Sequence, residues 1–226
     1  MYAAGIHGIL CHPMQENLTS KRAASTFFLL FSYLFFCWLM LRIVLQYIPA
    51  GTDTAFLGIK QDYIDIPFYL PVFYIHVFTA ILALPAGLTQ FSKYILKHHR
   101  TIHKINGRFY VTSIILLAGP SGFIMGIYAN GGLPSKISFC ILGALWIGFT
   151  WTAYQRARER KIIEHKAFMY RSFALTLSAI TLRAWKYILI STLHPRPMNV
   201  YAVIAWLGWV PNLLIAEYLI KQNRTK

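Results

Sequence analysis

The sequence predicts an all-α integral membrane protein of about six transmembrane helices in one bundle, with N- and C-termini cytoplasmic. Three observations carry this. Of 226 residues, 57% are hydrophobic and only 13% are charged, where a soluble domain averages about 45–50% and about 25%. The mean hydropathy is +0.49. The few charges leave long uncharged gaps, with Lys and Arg gathered between them. Together these exclude a soluble globular enzyme, a disordered chain and a disulfide scaffold.

A spanning helix needs about 20 mostly apolar residues. Residues 23–41 give 19 without a charge, 66–92 give 27, 109–135 give 27, 137–155 give 19 and 197–216 give 20. The helices expected from them lie near 24–46, 68–91, 108–129, 137–155 and 199–220. A sixth, about 168–191, is apolar but carries Arg171, Arg183 and Lys186. It counts as a span because its polar residues can face a protein interior. Residues 1–17 lack a basic n-region and Lys21-Arg22 precede the first apolar run. That run is therefore expected to be retained rather than cleaved.

The domain division expected is a cytoplasmic segment 1–23, a transmembrane domain 24–221 and a cytoplasmic tail 222–226. The longest loop, about 47–67, is too short to hold a core of its own.

Orientation comes from the basic residues. The formal net charge is +15. On a soluble protein this would suggest nucleic acid, but here the cations sit in short runs between apolar segments, and nucleic acid is not expected. Fifteen Lys and Arg fall on one side of the predicted spans and three (Lys60, Lys136, Arg196) on the other. The richer side is cytoplasmic by the positive-inside rule. Cys11, Cys37 and Cys140 form no C-x-x-C pair, so neither a disulfide framework nor a zinc site is expected.

Polar groups within hydrocarbon are costly unless satisfied, which makes them the candidates for function. His76 in the second helix shares a face with Ala80, Ala83, Gly87 and Gln90, small enough for close approach. Arg183 and Lys186 are three residues apart on the fifth helix, with Arg183 at about the depth of His76. They suit an anionic ligand, with Asp62 or Asp65 as the alternative partner. His103, before the third helix, and His165, before the fifth, lie at one depth. Met169 is four residues from His165 and can face the same partner. Two histidines from different helices at one depth suit a b-type haem or another metal. Gln90 and Glu217 sit at cytoplasmic helix ends. Gly122 and Gly126 form a G-x-x-x-G pattern, and Pro120 is expected to kink its helix. Trp151, Trp185 and Trp209 fall near span ends, as an aromatic belt would.

Three stretches carry a resemblance. They are His76 with Gly87-Leu88-Thr89-Gln90-Phe91, then residues 103–110 (HKINGRFY), then residues 165–176 (HKAFMYRSFALT) with Leu182-Arg183. Together they resemble the bacterial family of predicted membrane proteins called domain of unknown function 2306, over about residues 68–190. Lys104 stands where that family often has Arg, and Phe168 where it often has Trp. The family has no established activity. The resemblance implies the architecture and marks His76, His103, His165, Arg171 and Arg183. It also implies the bacterial inner membrane, as a multi-pass protein.

Four central helices bearing histidines at two depths are also broadly similar to membrane cytochromes of the b561 kind. Two haems would need two same-depth pairs, yet fourteen residues after His76 stands Gln90. One haem b is the expectation, on a bis-His site of His103 and His165 or on a histidine with another group, His76, Met169 and Arg171 being the further cofactor-binding candidates; one-electron transfer is the activity and Arg171 tunes the ring. Two other readings stay open. One is transport or ligand binding at His76 and Arg183. The other is an accessory or structural subunit. The partners expected are the bilayer, anionic lipid head groups, and either a second copy of the chain or a membrane redox partner.

Overall fold

The computed structural model describes residues 12–193 and 197–224, with side chains for 24–193 and 200–223. The expectations on Cys11 and Arg196 lie outside the described residues. Every regular element among the described residues is helical. Six helices are long and apolar enough to cross a membrane. They are α1 (His12–Leu45), α2 (Tyr69–Gln90), α3 (Arg100–Ile127), α4 (Gly132–Arg158), α5 (Ile162–Leu193) and α6 (Val200–Asn223).

The chain forms two compact units, residues 1–39 and 40–226. The first consists of α1 up to Leu39, with Phe27, Phe28, Phe31 and Leu34 exposed. Such a surface suits lipid, where every backbone polar group is already satisfied within the helix.

In the second unit α2 packs along α3, α3 on α4, and α4 on the first piece of α5 (Ile162–Thr176). The last piece of α6 (Val210–Arg224) lies on that same piece of α5. The buried centre joins Ala83, Ala86, Tyr110, Ile114, Ala118, Trp146, Ala153, Met169, Leu175 and Trp209. On α2 its members are the small residues Ala83 and Ala86, and this lets a neighbouring helix approach closely.

Four helix starts lie earlier than expected: α1 is already helical at His12 rather than 24, and α4 at Gly132 rather than 137. Helix α3 begins at Arg100 rather than 108, and α5 at Ile162 rather than 168. A helix does not stop where hydrocarbon stops, because its charged first turns remain hydrogen-bonded in the polar layer. His103 and His165 therefore lie inside helices, not before them. Trp209 also differs: it is 5% exposed and its Nε1–H donates to Ser138 Oγ at 2.9 Å, so it belongs to the core rather than a belt.

Pro120 has the local effect expected, in a particular form. Residues Ser113–Ala118 wind as a π-helix just before it. Proline removes an N–H, and a wider turn relieves its ring against the preceding carbonyls. The carbonyls around the bulge find other donors. Ala118 O accepts from His76 and from Ser121 Oγ.

At the opposite end from His103, the loop after α1 is more ordered than its length suggests. It turns through Leu57–Ile59 and Gln61–Ile64 and packs Tyr47 and Leu57 on Tyr69 and Phe73. Lys60 is 1% exposed. Its ammonium donates to Tyr128 O and Asn130 Oδ1 and lies over the rings of Phe56 and Tyr63. Burial lowers its pKa from 10.5 to about 8; the charge of Lys136 adds to this and that of Asp62 opposes it.

Between pH 8 and 10.5 the unfolded chain thus binds more protons at Lys60 than the folded one, and stability rises with pH through that window. A neutral amine still donates to both oxygens. Between pH 7 and pH 9.5 the wild-type melting temperature in detergent is expected to rise relative to Lys60→Met, on the order of a few degrees. Equal pH responses of the two proteins would remove this role.

Candidate functional site

The three stretches singled out in the sequence meet at one end of the second unit. The Cβ that Gly87 lacks would lie 2.6 Å from the Phe173 ring and 3.0 Å from the Tyr110 ring. Only glycine lets α2, α3 and α5 close here. Asn106 Nδ2 donates to Thr89 Oγ1 at 3.2 Å, and Gln90 Nε2 donates to the His103 carbonyl at 3.3 Å. The Phe91 ring meets those of Tyr170 and Phe173, with centroids 5.1 and 5.0 Å away.

His165 Nδ1 is 2.8 Å from Ala153 O on α4. A carbonyl only accepts, so Nδ1 carries a proton, and in the neutral ring Nε2 then presents its lone pair. His103 is close enough for the two imidazoles to interact electrostatically. Its Nδ1 is buried with no protein partner. A buried nitrogen left this way calls for a ligand or water to satisfy it.

The other residues singled out in the sequence are distributed differently. Met169 is 5% exposed and packs in the central cluster with Tyr110 and Ala153. Arg171 crosses to α6, where its Nη2 meets Glu217 Oε2 at 2.8 Å in a two-pronged pair, and it lies over Phe168 at 4.9 Å. Such bidentate pairs are the stronger kind.

His76 Nδ1 lies 2.9 Å from Ala118 O on α3, which fixes the same tautomer as in His165. Arg183 is within electrostatic reach of His76, in keeping with their predicted common depth. Lys186 does not reach Asp62 or Asp65; its ammonium donates to Tyr201 Oη at 3.1 Å.

One feature escaped the sequence. Tyr110 is 0% exposed, and its hydroxyl lies 2.8 Å from both Ser172 Oγ and Thr176 Oγ1. Trp146 Nε1 donates to Thr176 Oγ1 at 3.0 Å, and Thr150 Oγ1 lies 2.7 Å from Ser172 Oγ. Thr176 and Thr150 also reach the carbonyls of Ser172 and Trp146. Four hydroxyl protons thus serve five contacts, and the hydroxyls must share them by rotation. The signal was present. Tyr110, Ser172 and Thr176 all fall in the two later stretches, and Ser172 and Thr176 are one helical turn apart.

Fold and site together define a multi-pass membrane protein. Its second unit brings three histidine-bearing helices around a buried hydroxyl network. The chain belongs to the predicted-membrane-protein family DUF2306, whose model matches residues 73–220. That match takes in α2 to α6 and all three stretches. Neither a curated protein nor a solved structure matches the chain.

Proposed function

We propose that the protein is a membrane electron carrier holding one haem b between His103 and His165, with that end of the bundle facing the bacterial cytoplasm. The observation that supports this best is the state of the two imidazoles. A histidine that would hold iron through Nε2 needs that lone pair free and its Nδ1–H held by an acceptor, and the Nδ1 of His165 is held by Ala153 O. His103 is in electrostatic range and has no such acceptor; its buried Nδ1 lacks a protein partner, so there Nδ1 is itself the nitrogen that could take a metal. Two imidazoles from different helices are a donor set that suits haem iron.

Haem would supply a one-electron couple. The chain's own residues hold the ligands and control charge. Gln90 steadies the backbone at His103, Ala153 sets the His165 tautomer, and Glu217 neutralises Arg171 beside Phe168. The excess of Lys and Arg at this end supports the orientation. A second copy or a membrane redox partner would receive the electron.

The test is the absorption spectrum of detergent-purified protein, from cells with ample haem, before and after dithionite. A Soret band with sharpened α and β bands is expected. It should vanish in His103→Ala and in His165→Ala and persist in His76→Ala. Protein absorbance alone in the wild type sinks the proposal.

A further inference from the structure

We infer that the cleft beside the second piece of α5 is a phosphate site that takes the head group of an anionic lipid. The cleft, of about 290 Å³, is lined by Arg183, Lys186, Tyr187, Ile190 and Ser191. Four of these five, all but Ile190, carry side-chain donors for an anion. Arg183 and Lys186 stand three residues apart, on one side of the helix.

The charges at this site have no counter-ion among the described residues. The described ion pairs of the chain join Glu159, Glu164 and Glu217 to Arg156, Lys161 and Arg171. Arg183 Nη1 instead donates to the carbonyl of Ala179, one turn back on its own helix. Lys186 donates to the Tyr201 hydroxyl. A guanidinium offers five N–H groups and an ammonium three, so most of these donors remain to be satisfied. Nearby groups give no negative charge either. Arg183 is within electrostatic reach of the imidazole of His76 and the phenol of Tyr47. A cation within a spanning helix is costly without a partner. An anion from outside the chain would remove that cost.

Depth decides which anion. Helix α5 has 32 residues, about 48 Å at 1.5 Å per residue, against about 30 Å of hydrocarbon. With the helix centred, roughly 9 Å at each end lies outside the hydrocarbon. Lys186 is then about 10 Å from the Leu193 end, and Arg183 about 15 Å from it. Both backbone positions therefore lie just inside the hydrocarbon edge, about 1 Å and about 6 Å below it, and their long side chains reach outward to the phosphate level. A phosphate diester has the planar oxygen edge that a guanidinium grips with two bonds. Ser191 and Tyr187 can donate to its remaining oxygens, and Ile190 can meet the acyl chain. Free phosphate has the same oxygens and lacks the chain.

Thermal unfolding of the full chain in a neutral detergent distinguishes the sources. The probes are a short-chain phosphatidylglycerol, a short-chain phosphatidylcholine and inorganic phosphate. Phosphatidylglycerol should raise the midpoint saturably and phosphatidylcholine should not. Arg183→Gln and Lys186→Gln should each weaken the apparent affinity about tenfold, while Arg183→Lys should lose less. Lys93→Gln, at the other end of the bundle, should change nothing. Native mass spectrometry should show one retained anionic lipid fewer in the Arg183→Gln, Lys186→Gln double variant, a readout independent of its stability. An equal shift with inorganic phosphate would keep the phosphate chemistry and overturn the lipid assignment. Unchanged lipid affinity in both Gln variants would overturn the site.

Discussion

Tyr110→Ala is expected to be the most damaging single substitution in the buried centre. The ring is fully buried among α3, α4 and α5, and removing a buried aromatic side chain costs about 3–5 kcal/mol through lost packing and the cavity left. The hydroxyl contributes far less. Tyr110→Phe leaves Ser172 with Thr150 and Thr176 with Trp146, and hydrogen bonds between membrane helices average only about 0.6 kcal/mol. The melting temperature in detergent should therefore drop steeply for Tyr110→Ala and little for Tyr110→Phe. If the two drops match, the hydroxyl network rather than the ring holds the three helices together.

Much of the fold could be read in advance because charge is so costly in hydrocarbon. Five gaps between charges located five helices, and the sixth was found despite its cations. The helix starts were misjudged for the same reason, since charge marks the hydrocarbon edge while backbone hydrogen bonding marks the helix end. Arg100 and Lys104 lie within α3, in turns that need only a polar layer around them. The shared depth of His76 and Arg183 followed from a rise of 1.5 Å per residue, and the structure brings them into electrostatic reach. Side-chain partners across helices did not follow. Arg171 and Glu217 are 46 residues apart, and nothing in one sequence states that α5 and α6 face each other at that register. The hydroxyl network was hidden for another reason. Ser and Thr satisfy themselves locally on helix carbonyls, so their presence in an apolar run raises no alarm until a tyrosine is seen between them. Trp209 misled in the same way, because a tryptophan near a span end suits either lipid or core.

Replacing Gly122 with Val should separate packing from chemistry at His76. A Cβ at residue 122 would lie 2.7 Å from His76 Cε1 and 2.9 Å from its Nδ1. The imidazole cannot simply swing aside, because its Nδ1–H is held by Ala118 O on the same helix as Gly122. Either that hydrogen bond breaks or α2 and α3 separate. Overpacking of this kind costs about 1–3 kcal/mol. His76→Ala alone loses one interhelical hydrogen bond and some contact, but it opens the space that a valine side chain needs. Ala118 O keeps Ser121 as a donor in its absence. The double variant should therefore be more stable than the sum of the two single losses predicts. Residues in direct contact show such coupling energies of about 0.5–3 kcal/mol. Four melting curves in detergent, for wild type, each single variant and the pair, measure it. Coupling of that size assigns His76 to the α2–α3 contact, with its Nε2 alone left for a ligand. Strict additivity would mean that the ring does not rest on Gly122, and that His76 is free to serve elsewhere.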